Sequence, residues 1–123
     1  MTPDASPRTL TIFLTDTPFG SQAPHTALNL AEAALAKGYR VNLFASADGV
    51  YCAAAGQKAA GLPRVGERLP ALIEQGLRVD LCGSCLQLRN LRGENRIQGA
   101  KPSSLKNLFA MVAESRALIA LGK

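Results

Sequence analysis

The sequence predicts a three-layer α/β sandwich built on a mainly parallel sheet, and three observations carry that prediction. Short β-branched, apolar runs alternate with segments whose apolar residues recur at helical spacing, and clusters of turn formers separate them. A last apolar run, Ala117-Leu118-Ile119-Ala120-Leu121, closes the alternation as a buried strand. Strands separated by helices pair in parallel through right-handed crossovers, which puts helices on the faces of the sheet.

The first strand is read in Thr9-Leu10-Thr11-Ile12-Phe13-Leu14-Thr15, ending in the turn formers Asp16-Thr17-Pro18-Phe19-Gly20-Ser21. From Pro24 to Lys37, Ala27, Leu28, Ala31, Ala34 and Leu35 mark one helix face, and Gly38 supplies the left-handed stop. Tyr39 to Ala45 form a second strand, followed by the turn Asp48-Gly49-Val50. Tyr51 to Leu62, rich in alanine and glycine, suits a short helix and a loop equally. Pro70, tolerated in a first helical turn, opens a short helix that Gly76 ends, and Leu77 to Leu81 form the third strand. A helix starts at Cys82 to Cys85; another runs from Ser103 as cap through Leu105, Leu108, Phe109, Met111 and Val112. Residues 1–8 are expected to form a flexible tail and residues 9–123 one domain.

With 123 residues, 47% of them hydrophobic, the chain supplies one core without disulfide or metal staples. No apolar run approaches the roughly 18 residues of a membrane helix, and the first eight residues lack a signal peptide's apolar stretch, so a cytoplasmic location is expected. Three cysteines, an odd number, read as free or transiently oxidised thiols. The net charge of +5 is concentrated between residues 89 and 106, where Arg89, Arg92, Arg96, Lys101 and Lys106 face only Glu94. That charge suits an acidic partner or an anionic substrate. Nucleic acid is not expected as a partner, since aromatic residues are 5% and tryptophan is absent. Neither Gly-x-Gly-x-x-Gly nor Gly-Lys-Ser/Thr occurs, which leaves nucleotide binding without support.

Chemistry concentrates in Arg78-Val-Asp-Leu-Cys-Gly-Ser-Cys-Leu-Gln-Leu-Arg89. A thiol at the end of a strand and the start of a helix faces unpaired backbone N–H groups and the positive end of the helix dipole, which favour the reactive thiolate. Two cysteines three apart suit a dithiol redox couple, half of a zinc site, or a nucleophile with a resolving neighbour. Zinc lacks ligands, because only Cys52 and His25 remain and neither is in paired spacing. Thioredoxin-type chemistry expects the pair after the first strand of its motif, whereas this pair comes late. His25 is a candidate base or a helix-terminal surface residue, and Cys52 is a second loop thiol or a small core hydrophobe. Ligands in parallel α/β sheets bind at the carboxyl ends of strands, so the loops Asp16–Gln22, Ala47–Tyr51 and Cys82–Cys85 are expected on one edge.

The chain resembles the DsrE/TusD-like (DsrE/DsrF) sulfur-relay family. The resemblance rests on the first strand with its small-residue loop and helix, on Asp48-Gly49-Val50, on Cys82-Gly83-Ser84-Cys85 with Arg89 seven residues after Cys82, and on Gly99-Ala100-Lys101-Pro102-Ser103-Ser104-Leu105. It implies a flavodoxin-like or YchN-like fold and homotrimers or hexamers. It also implies a persulfide-type sulfur carrier or sulfurtransferase, with the active cysteine mapping onto Cys82; Cys85 matches a second cysteine found in some branches. Arg89 would stabilise the persulfide anion, and no metal or organic cofactor is implied. Donors and acceptors would be proteins or low-molecular-weight persulfides. The pattern departs where the family continues Arg-Gly and this chain has Asn90, a residue that also tolerates the left-handed backbone. Two other readings stay open: a dithiol-disulfide oxidoreductase using Cys82 and Cys85, and a non-catalytic assembly subunit of a sulfur-relay complex.

Overall fold

Six residues of strand β1 (Thr9–Leu14) sit inside a five-stranded sheet ordered β4-β3-β2-β1-β5, in which every pairing is parallel. The structure is a computed structural model that describes residues 8–56 and 65–122. Its elements continue with α1 (Ala23–Ala36), β2 (Arg40–Ala45), a 3-10 segment (Ala47–Ala53), α2 (Val65–Glu74), β3 (Arg78–Cys82), α3 (Gly83–Leu88), a 3-10 turn (Gly93–Asn95), β4 (Ala100–Ser103), α4 (Leu105–Glu114) and β5 (Ala117–Leu121). Of the expected N-terminal tail only Arg8 falls among the described residues, and it is exposed. The undecided stretch from Tyr51 is helical through Ala53, and its residues 57–62 lie outside the described residues.

Strand alternation sorts the core into two layers. Leu10, Ile12 and Leu14 of β1, Val41 and Leu43 of β2, and Val79 and Leu81 of β3 pack with Ala27, Leu28 and Ala31 of α1 and Leu69 and Leu72 of α2. The residues between them turn the other way: Phe13, Phe44 and Cys82 meet Leu108 and Met111 of α4. The rings of Phe13 and Phe44 lie 6.2 Å apart. Burial of each large apolar side chain in these layers contributes about 1.5–3 kcal/mol.

The predicted fold class matches this architecture, and four details differ. First, α2 begins at Val65, so Pro70 lies inside the helix and not at its start. Proline costs the helix one N–H bond there. The stripe Val65, Leu69, Leu72 begins before the proline and is at most 2% exposed, so burial holds the turn upstream. Second, β4 was not foreseen, because Ala-Lys-Pro-Ser has no strand pattern; as the sheet's edge it accommodates a proline that cannot donate. Third, Ser103, expected as the cap of the last helix, ends β4 in register with Cys82, and the next residue, Ser104, accepts the capping bond from the Asn107 N–H at 3.4 Å. Fourth, strand limits shift by a residue, with β3 including Cys82.

Three helices end in one motif. After α1, the N–H groups of Tyr39 and Gly38 donate to the carbonyls of Ala34 and Leu35; after α2, Leu77 and Gly76 donate to Leu72 and Ile73. After α3, Leu91 and Asn90 donate to Leu86 and Gln87. Asn90 occupies the left-handed position with φ +54°, so the turn survives where glycine is absent. Asn90→Ala is expected to cost about 1 kcal/mol, from Cβ crowding without the asparagine's local hydrogen bonding, while Asn90→Gly keeps stability. Urea midpoints at constant m-value measure both.

Candidate functional site

The carboxyl edge of the sheet carries the site. β1, β2 and β3 each lead to helical segments packed on one layer, while β4 leads to α4 on the other. The crevice between the ends of β3 and β4 is therefore where the crossovers part, the position at which open α/β sheets bind ligands. Cys82 ends β3 there and serves as the residue before α3, with extended φ −59° and ψ 118°.

Cys85 comes one helical turn later and faces the 3-10 segment after β2. Its Sγ accepts a hydrogen bond from the Ala47 N–H at 3.2 Å and lies 3.6 Å from Ser46 Oγ. Ala47 adopts φ +50°, an uncommon conformation for alanine that aims its N–H at the sulfur. The segment is set by the end of β1: the Ser46 N–H donates to the Leu14 carbonyl at 2.9 Å, and Gly49 lies so close to the same carbonyl that a Cβ would collide with it.

Arg89 joins the two elements. Its Nε donates to Asp48 Oδ1 at 3.0 Å, and a second guanidinium nitrogen donates to the Cys85 carbonyl at 3.2 Å. An ion pair with a half-exposed carboxylate contributes at most about 1 kcal/mol, so the value of Arg89 lies in position and charge. Partial burial pushes the Cys85 thiol up, but the Ser46 hydroxyl, the Cys82 thiol, the Ala47 N–H and the Arg89 charge outweigh it, and its pKa falls below the ordinary 9.0.

Beneath Cys82, on the same face of β3, Asp80 is 3% exposed and fully engaged. It accepts from Arg78 at 3.1 and 3.2 Å and from Ser103 Oγ at 2.7 Å, and Ser103 in turn accepts from Asn107 Nδ2 at 3.0 Å. This network ties β3, β4 and α4 together under the site.

The structure therefore brings together Cys82, Cys85 and Arg89, and adds Ser46, Ala47, Asp48 and Asp80. Asp80 had a signal in the sequence, an acid inside an apolar strand; Ser46 and Ala47 had none, because nothing in an alanine announces a positive φ. Two of the three expected edge loops, Ala47–Tyr51 and Cys82–Cys85, meet at Cys85, whereas in the third Ser21 Oγ accepts from the Ala23 N–H and donates to Asp16, bonds that stay within the loop leading to α1. Cys52 is a core residue, 2% exposed, and burial pushes its thiol up to about 12 despite an opposing backbone hydrogen bond. His25 makes no hydrogen bond to either site cysteine, and its buried Nδ1 has no partner. Among the described residues, no three His, Cys, Asp or Glu side chains gather to hold a metal ion, and no helix is long and apolar enough to cross a membrane.

Fold and site define a parallel α/β protein with a polarised thiol pair at the carboxyl edge of its sheet. The chain belongs to the DsrE/DsrF-like family, whose pattern matches residues 9–121. It is 38% identical over 105 residues to the uncharacterized protein MJ0989 of Methanocaldococcus jannaschii, covering 85% of this chain and 92% of that protein. It is 35% identical over 106 residues to the uncharacterized protein MK0008 of Methanopyrus kandleri, covering 86% and 88%. Among solved structures, the ychN protein from E. coli superposes with TM-score 0.86 at 23% identity over 92% of this chain and 98% of that one. MTH1491 of Methanobacterium thermoautotrophicum, a protein of unknown function, superposes with TM-score 0.73 at 17% identity, over 94% and 99%. These likenesses establish a YchN-like fold.

Because its pKa is lowered, Cys85 keeps its thiolate below pH 9.0, and that fraction falls only as pH drops through the depressed value. Alkylation with iodoacetamide at pH 7 is expected to modify Cys85 ahead of Cys52, which stays silent until the chain unfolds. Ser46→Ala is expected to move the Cys85 rate profile up toward pH 9.0. Peptide mass mapping across pH reads both.

Proposed function

We propose that this protein is a sulfur carrier of the persulfide-sulfurtransferase type, which holds sulfane sulfur on Cys82 and passes it to an acceptor thiol. The observation that carries the reading is a pair of thiols one helical turn apart at the crevice, Cys82 ending β3 and Cys85 held by the Ala47 N–H and beside the Ser46 hydroxyl. Membership in the DsrE/DsrF-like family supports a sulfur-relay role.

The transfer needs no oxidant. The Cys82 proton passes to Cys85, Cys82 Sγ attacks the outer sulfur of a donor persulfide, a new S–S bond forms and the donor's S–S bond breaks, and the donor leaves as thiolate. The bound persulfide is held by its terminal charge near Arg89 and the donors of the crevice. An acceptor thiolate then attacks the outer sulfur and restores Cys82. In this reading Cys85 receives the proton and later resolves stalled persulfide, releasing sulfide with formation of the Cys82–Cys85 disulfide. Such chemistry requires reduced thiols, which fits a cytoplasmic carrier and the three free cysteines. The Cys-Gly-Ser-Cys run places it, on this reading, in the branch that keeps both cysteines.

Assembly into a homotrimer or hexamer is part of the proposal. Leu105 and Phe109 of α4 and Leu118 of the edge strand β5 are 56%, 69% and 49% exposed, and among the described residues nothing pairs with the outer side of β5. A second copy laid on this face removes both the apolar surface and the open edge. Phe109→Lys is expected to shift the sedimentation coefficient to that of a monomer.

The closeness of the two thiols also favours the dithiol oxidoreductase as a second reading. Mass spectrometry after incubation with a donor persulfide separates them. The carrier adds one sulfur, about 32 mass units, to the Cys82 peptide; Cys82→Ser abolishes this, and Cys85→Ser keeps it at a lower rate whose pH profile moves upward. Loss of turnover in Cys85→Ser with no sulfur ever added assigns the oxidoreductase instead.

A further inference from the structure

Helix α3 presents two faces. Cys85 and Arg89 point to the 3-10 segment, whereas Gly83, Leu86 and Asn90, three and four residues apart in succession, border a cleft of about 370 Å³ between α3 and β4. Leu86, Leu91 and Pro102 give the cleft apolar walls, and Arg92 and Arg96 also line it. The cleft begins at Gly83, the residue bonded to Cys82, so its end lies beside the cysteine proposed to react, although the sulfur itself is not part of the lining.

Its charge is the telling feature. Among the described residues, carboxylates are paired with Arg68, Arg78 and Arg89, and neither Arg92 nor Arg96 has a carboxylate partner. Both are nonetheless held in place. The Arg92 Nε donates to Asn90 Oδ1 at 3.1 Å, which anchors it to the left-handed turn after α3. Arg96 is half-buried, and its backbone is pinned by an antiparallel bridge to Ala54, with Ala55 N–H donating to Asn95 at 2.9 Å and Ile97 N–H to Ala53 at 2.8 Å. One guanidinium held by a side-chain bond and a second on a pinned backbone, both beside apolar walls, match a ligand with a short aliphatic body and carboxylate ends. The volume suits a molecule of small-peptide size, at the lower end of ordinary ligand pockets of roughly 300–1,000 Å³.

We propose that this cleft seats an anionic low-molecular-weight thiol bearing carboxylates, as its persulfide when it is the sulfur donor and as the free thiol when it is the acceptor, with Arg92 and Arg96 on its carboxylates and its sulfur reaching toward Cys82. The sulfur half of this assignment rests on the persulfide reading; the anion half rests on the cleft alone. The test uses the full chain and two probes. S-methylglutathione carries two carboxylates and no reactive sulfur, so its binding, followed by calorimetry, reports the cleft without any transfer chemistry. Saturable binding is expected that weakens with added salt, falls about tenfold or more in the R92Q/R96Q double variant, and survives in Cys82→Ser. An unchanged Cys85 alkylation rate shows that the double variant is folded. In loading assays the double variant is expected to lose about tenfold in rate with glutathione persulfide and nothing with the uncharged persulfide of 2-mercaptoethanol. Absence of saturable binding, or equal binding by the double variant, overturns the proposal and leaves the cleft to a protein partner. Binding with the expected arginine dependence, but no sulfur on Cys82 from either donor, upholds the anion site and sinks the persulfide reading.

Discussion

The Leu14 carbonyl is the small anchor on which the site depends. It ends β1, accepts the Ser46 N–H, and lies flush against Gly49, so it dictates where the chain goes after β2. With that path set, Ala47 is held at φ +50° and its N–H meets Cys85 Sγ. A larger residue at position 49 would lift the segment from the sheet and take the thiolate's donors with it. The polarity of the sulfur is thus a consequence of backbone packing at the neighbouring strands, with the Arg89 bond to Asp48 as the clasp.

The two cysteines differ because they belong to different layers. Cys82 is a strand residue whose side chain follows the β3 pleat toward Phe44 and α4, while Cys85 is a helix residue turned to the opposite layer and the 3-10 segment. The same edge is completed by β4, which brings Ser103 to Asp80 beneath Cys82 and Pro102 to the arginine-lined cleft. A four-residue edge strand therefore supports the thiol pair on one side and walls the cleft on the other.

Much of this was legible from residue pattern. β1, β2, β3 and β5 announce themselves by β-branched runs bounded by turn formers, α1 by its alanine and leucine spacing, and the cysteine pair by its place where a strand becomes a helix. The departure at Asn90 was resolved as its chemistry predicts, since asparagine takes the left-handed turn that three helix ends here require. What failed had physical causes. Pro70 reads as a helix start, but Val65 and Leu69, buried on the core, extend the helix through it. Ala100–Ser103 carries no strand pattern and becomes one only by pairing with β3.

Fold class, layer order and the identity of the two thiols are properties of local sequence, because side-chain period, turn chemistry and the strand-to-helix junction are set by near neighbours. Which thiol has its pKa lowered, which arginine clasps the loop and where a cleft opens beside α3 were decided only on folding. Ser46 and Ala47 lie 39 and 38 residues from Cys85, and Asp48 lies 41 from Arg89. Contacts of that separation exist only after the parallel sheet has brought the carboxyl ends of its strands to one edge, since parallel neighbours must be joined by long crossovers.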